Sequence, residues 1–219
     1  MCIIAVSKAG VKQPTLDQLR LCFENNPHGA GYMFARNGSV TIHKGFMCWE
    51  DFQRAVKGEH FTDADPVVYH FRISTQAGIC ASMTHPFPLT EKLELCEKLD
   101  LFKCPIGLAH NGIIRMTSNY KETRFSDTAL FITEYMTRLV RNQADLTDPA
   151  VLEMISVLTN SKWALLDASG DIATVGKFEK VDGLLFSNTT YQKRPKTTII
   201  PPRKFSWDDY DQGYYGIQI

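Results

Sequence analysis

Met1-Cys2-Ile3-Ile4-Ala5-Val6 opens the chain, and the reading of this run decides the fold. From Cys2 to Val6 every position is apolar, too short a stretch for a helix and suited to a strand buried on both faces. The thiol of Cys2 then lies at the beginning of a buried strand. Removal of the initiator methionine would leave Cys2 as the terminal residue, carrying both a thiol and a free α-amine. That amine has a pKa of about 8, and an N-terminal amine beside a weak nucleophile is one way of activating it. A lone cysteine is equally a small buried hydrophobe, so the chemistry depends on what distant segments supply.

The 219 residues, 44% hydrophobic and 22% charged, suit one domain or one large domain with a tail. Twenty-four basic residues balance twenty-four acidic ones, which removes any general attraction to nucleic acid or an anionic membrane. No apolar run is long enough to span a bilayer, and Cys2–Val6 is too short for the core of a signal peptide. The six cysteines (Cys2, Cys22, Cys48, Cys80, Cys96, Cys104) form no Cys-x-x-Cys pair. Neither a zinc site nor any other metal or cofactor is expected, and reduced thiols in a cytoplasmic protein are.

Outward from the first strand, Thr15-Leu16-Asp17-Gln18 reads as a capping box opening a helix with Leu16, Leu19 and Phe23 on one face. Pro27-His28-Gly29-Ala30-Gly31 follows it. Residues 32–35 and 40–43 around Asn37-Gly38 predict a hairpin, and Trp49 to Val56 a short helix. Pro66 to Ile73 is a strand, and so is Ile106 to Ala109, which runs into His110-Asn111-Gly112. Ser126-Asp127 caps a helix to about Arg141, and Asp148-Pro149 opens another. Lys162–Asp167 and Ile172–Val175 form a second hairpin, and Gly183–Phe186 a last strand before Ser187-Asn188. Strands, then helices, then strands predict an α+β fold with antiparallel sheets over residues 1–190. Residues 191–219 read as an extended tail with an aromatic and acidic end.

Attack on a carboxamide needs a nucleophile, a base, donors for the oxyanion and groups that orient the substrate. Cys2 offers the first two. Asn111-Gly112 offers a side-chain NH₂ and a backbone N–H, though Asn-Gly is also a common turn pair. Arg72, near the end of an apolar strand, requires a carboxylate, supplied by a substrate or by the protein. Asp127 at a helix start suits either the helix dipole or a substrate ammonium. His28, His70, His85 and His110 fit no familiar metal spacing and read as hydrogen-bonded core histidines.

Met1-Cys2 with its strand, Arg72-x-x-Thr75, Thr84-His85-Pro86-Phe87, His110-Asn111-Gly112, Ser126-Asp127-Thr128 and Ser187-Asn188 resemble, in order and rough spacing, the class II glutamine amidotransferases, a family of N-terminal-nucleophile hydrolases. The resemblance implies a four-layer αββα sandwich of two antiparallel sheets flanked by helices, and hydrolysis of glutamine to glutamate and ammonia. It further implies Cys2 as nucleophile, Asn111 and Gly112 as oxyanion hole, Arg72 and Thr75 on the substrate carboxylate, and Asp127 on its ammonium. Gln76 stands where well-known members have histidine. Residues 191–219 are too few for a synthase domain, so ammonia would pass to an acceptor on a separate partner enzyme. The alternatives are a stand-alone hydrolase of γ-glutamyl or other small amides and an inactive binding subunit.

Overall fold

The computed structural model describes residues 2–73, 78–118 and 124–193, so Thr75, Gln76 and the end of the expected tail lie outside the described residues. The chain is an α+β protein with two antiparallel sheets. Among the described residues the larger has seven strands in the order β10-β11-β1-β4-β2-β3-β6, formed by Glu179–Val181, Leu184–Phe186, Ile3–Ser7, Val67–Phe71, Ala30–Arg36, Ser39–Phe46 and Asp100–Cys104. The smaller runs β5-β7-β8-β9, formed by Phe87–Pro88, Ile106–Asn111, Lys162–Asp167 and Ile172–Val175.

Strand β1 explains its own composition. Ile3 and Ala5 enter a core with Leu19, Phe23 and Phe52, from helices α1 (Leu16–Asn25) and α2 (Trp49–Gly58). Ile4 and Val6 enter a second core with Met33, Ile42 and Val68 and with Ala109, Ala164 and Leu166 of the smaller sheet. Both faces of β1 are covered, so the usual apolar–polar alternation of a half-buried strand is absent. A third core joins Leu108, Trp163 and Leu165 to Phe131, Ile132, Met136 and Ile155 on the helical side.

Local signals behave as their chemistry requires. Thr15 and Gln18 form the reciprocal capping box of α1. Asn37 and Gly38 have φ of 53° and 69°, the left-handed pair that a two-residue hairpin turn between β2 and β3 demands. Asp148 caps the helix Pro149–Thr159. The helix expected from Asp127 to Arg141 is α-helical over Asp127–Phe131, widens to a π-helix over Ile132–Met136, and ends with Thr137–Leu139. Thr133 Oγ1 donates to the carbonyls of Ala129 and Leu130, and Thr137 Oγ1 to that of Thr133. Hydroxyls competing for helix carbonyls are a physical route to such loosened turns. No helix among the described residues is long and apolar enough to cross a membrane.

Candidate active site

Five of the six residues singled out from the sequence for catalysis or substrate binding are described, and they meet at one end of the sheets. In the β1–β4 ladder Ile3 faces Phe71, which brings Cys2 level with Arg72 just past the last rung. Cys2 Sγ lies 3.4 Å from the N–H of Ile73 and 3.5 Å from its carbonyl. Burial pushes the thiol pKa up, while the Ile73 N–H and the Arg72 charge pull it partly back. Asn188 Nδ2 donates to the Cys2 carbonyl at 2.6 Å, and Asn188 Oδ1 accepts from Thr190 N and Oγ1, so the carboxamide is held at both ends.

Asn111 closes β7. Its Nδ2 donates to Ser187 Oγ at 2.7 Å, and the same hydroxyl accepts the main-chain N–H of Ile4 at 2.9 Å. One buried hydroxyl therefore joins the expected oxyanion donor to the strand that carries the thiol. Asn111 Oδ1 is buried with no hydrogen-bond partner among the described residues. Gly112 is required for space rather than for a left-handed turn: its φ lies outside the positive range, and an added Cβ would stand 2.3 Å from Ser161 Cβ and 3.1 Å from His110 Nε2. Asn-Gly here is the end of a strand in close contact with the next loop.

Arg72 is 6% exposed. Its N–H donates to Gly29 O and its carbonyl accepts from His28 N, so the glycine-bearing segment after α1 braces it. Burial lowers the guanidinium pKa, against which Cys2, Cys80 and Asp127 act. Asp127 opens its helix behind the Ser126 cap. Its Oδ2 accepts from Ile114 N and its Oδ1 from Thr128 N, each at 2.8 Å. Burial raises its carboxyl pKa, and those two N–H groups together with Arg72 oppose the rise. Thiol, guanidinium and carboxylate thus share one electrostatic neighbourhood.

Three of the four noted histidines, His70, His85 and His110, are brought together between the sheets. His70 Nε2 and His85 Nδ1 lie 2.9 Å apart, and each is 3.0 Å from the His110 carbonyl. The His110 ring spans Thr128 Oγ1 at 2.8 Å and Ser161 Oγ at 2.9 Å, tying the Asp127 helix to the loop behind Gly112. Burial pushes His70 and His110 down to about 3 and His85 well below its ordinary value, so all three are neutral near pH 7. No group of three or more metal-ligating side chains occurs among the described residues.

Sequence reasoning passed over Lys44. It is 3% exposed, its ammonium donates to Ser82 O at 2.8 Å and Cys96 O at 2.6 Å, and it lies over the Phe87 ring. Burial lowers its pKa to about 7. Lys44 fastens the segment carrying Thr84-His85-Pro86 to β3. No protein-family model and no curated protein matches the chain.

Proposed function

We propose that this chain hydrolyses the side-chain amide of glutamine through Cys2, in the manner of the class II glutamine amidotransferases, on a four-layer αββα scaffold. The observation that carries this reading is the shared Ser187 hydroxyl, which binds Asn111 Nδ2 and the N–H of Ile4, two residues beyond Cys2. The scaffold is supported by the three cores, which succeed one another from helices to sheet, sheet to sheet, and sheet to helices.

Once Met1 is removed, the Cys2 α-amine takes the thiol proton and the sulfur attacks the amide carbon. A carbon–sulfur bond forms and the carbonyl electrons move onto oxygen. The remaining Nδ2–H of Asn111 and the N–H of Gly112 hold that oxyanion. On collapse, the carbon–nitrogen bond breaks and the amine's proton leaves with ammonia, giving a thioester. Water then attacks the thioester, releasing glutamate and restoring the thiol. Arg72 holds the α-carboxylate and Asp127 the α-ammonium. The ammonia goes to an acceptor on a separate enzyme.

The test is glutamate release by purified protein whose intact mass shows loss of Met1. Wild type turns over glutamine and Cys2→Ala does not. Undiminished activity in Cys2→Ala overturns the proposal, and faster turnover of γ-glutamyl dipeptides than of free glutamine redirects it to a different amide.

A further inference from the structure

We infer that Ser187 is a positioning residue: its hydroxyl aims the Asn111 amide at the reacting carbonyl and locks that amide to the nucleophile's strand. This deepens the reaction proposed above and rests on it. The argument starts from the ladder between β1 and β11, where Ala5 faces Phe186 and Val6 faces Leu185. The next rung pairs Ile4 with Ser187, and in a regular ladder these would exchange both main-chain hydrogen bonds. One is present, from Ser187 N to Ile4 O at 2.9 Å. The other is replaced: the Ile4 N–H goes to Ser187 Oγ at 2.9 Å, and the Ser187 carbonyl instead receives the Lys162 ammonium.

The consequence is a hydroxyl turned into the space between the two sheets, fully buried, where it meets Asn111 of the opposite sheet. Without it, the terminal torsion of an asparagine is broad and poorly defined. With one Nδ2–H committed to Ser187, the amide plane is fixed and its other N–H has a single direction. An oxyanion donor must be so fixed before the substrate arrives, because preorganisation is what makes such donors effective. The hydroxyl is also bonded to the strand that bears the thiol, so nucleophile and donor keep one relative position.

The experiment measures kcat and KM for glutamine in wild type, Cys2→Ala, Ser187→Ala, Ser187→Thr and Ser7→Ala. Ser7 is the control: a buried hydroxyl at the other end of the same strand, bonded to Val11 O. Ser187→Ala is expected to lower kcat by about tenfold to a hundredfold with KM within about twofold. Ser187→Thr, which keeps the hydroxyl, recovers most of that loss, and Ser7→Ala keeps the wild-type kcat. A wild-type kcat in Ser187→Ala, a loss confined to KM, or equal losses in Ser187→Ala and Ser7→Ala overturns the inference. Should Ser187→Thr fail to fold, the Ser187→Ala and Ser7→Ala pair decides. Should wild type release no glutamate, the proposed reaction falls, and the positioning role is decided by NMR. The Asn111 side-chain N–H signals, assigned by their loss in Asn111→Asp, must lose exchange protection in Ser187→Ala; retained protection overturns the role.

Discussion

The main chain of Ile73 meets the Cys2 thiol with both of its polar groups, the N–H at 3.4 Å and the carbonyl at 3.5 Å from Sγ. The N–H favours the thiolate and the carbonyl favours the thiol, while burial favours the thiol and outweighs the help from Ile73 and Arg72. Alkylation of Cys2 by iodoacetamide, followed by peptide mass spectrometry, should therefore be slow at neutral pH and climb in the alkaline range. Arg72→Met removes a cation that supports the thiolate and should slow the reaction on the order of threefold to tenfold below the plateau. Equal rates in the two proteins would show that Arg72 does not act on the sulfur.

Asp127→Asn should raise the KM for glutamine more than it lowers kcat. A charge-assisted hydrogen bond is worth about 1.5–3 kcal/mol, or roughly tenfold to a hundredfold in binding. The direction of the Asp127 shift adds a second signature. Burial holds its carboxyl above the ordinary 3.8, so the charge proposed to receive an ammonium is lost as pH falls through that raised value. Wild-type KM should climb toward acid while that of Asp127→Asn stays flat, and parallel profiles would remove the residue from substrate binding.

The neutral histidine cluster makes the fold acid-sensitive before its carboxylates titrate. In the unfolded chain each imidazole binds a proton near 6.5, whereas His70 and His110 in the folded protein wait until about 3. Between those values the unfolded state holds more protons, so stability falls as pH falls, by about 1.4 kcal/mol per pH unit for each ring. Thermal midpoints should drop between pH 6.5 and 5, above the carboxylate range. A flat midpoint there would mean that the cluster is solvated and free to charge.

Lys44 gives the opposite window. Its folded pKa of about 7 lies below the ordinary 10.5, so between those values the unfolded chain binds a proton that the folded one does not. Stability rises with pH across that interval, by about 1.4 kcal/mol per unit at most. Urea midpoints measured from pH 7 to about 8.5, below the titration of the buried thiols whose raised pKa values act the other way, should climb in wild type and lose most of that slope in Lys44→Met. The slope is the readout, because the substitution also leaves the Ser82 and Cys96 carbonyls without their donor.

Gly112→Ala places a methyl carbon 2.3 Å from Ser161 Cβ. Displacing the proposed oxyanion segment by even part of an ångström should lower kcat on the order of a hundredfold. Ser161→Gly removes the clashing carbon, so the double variant should recover part of the loss. Strict additivity of the two substitutions would contradict the contact.

Much of this arrangement was legible where local chemistry suffices. Thr15 with Gln18, Asn37-Gly38, and Asp148-Pro149 mark their elements because caps and left-handed turns are satisfied within a few residues. Three edge strands escaped, one of them the two-residue Phe87–Pro88. Asp100–Cys104 is largely exposed and mixes charged with apolar side chains, and Glu179–Val181 is short and polar, so neither carries the apolar pattern of a covered strand. Lys44 escaped for the converse reason: a lysine after Ile42-His43 reads as solvent-facing, and only Ser82, Phe87 and Cys96 from distant segments make its burial tolerable. Cys2, Arg72, Asn111, Gly112 and Asp127 were legible as chemical types. Ser187 was noted only as part of a Ser-Asn pair; its contact with Asn111 and Ile4 was not legible, since nothing local marks a serine beyond β11 as turned inward.

Strand β1 carries one further consequence. With carbon packed on both its faces, hydrophobicity alone is nearly indifferent to a one-residue slip, in which Ile3 and Ala5 would trade faces with Ile4 and Val6. Polar pins at the Cys2 end forbid the slip: Ile4 and Cys2 are bonded to the side chains of Ser187 and Asn188. A slip would carry the sulfur about 3.4 Å along the strand. The pins near Cys2 therefore keep the strand in step as well as shaping its end, and weakening them should show as misalignment before it shows as melting.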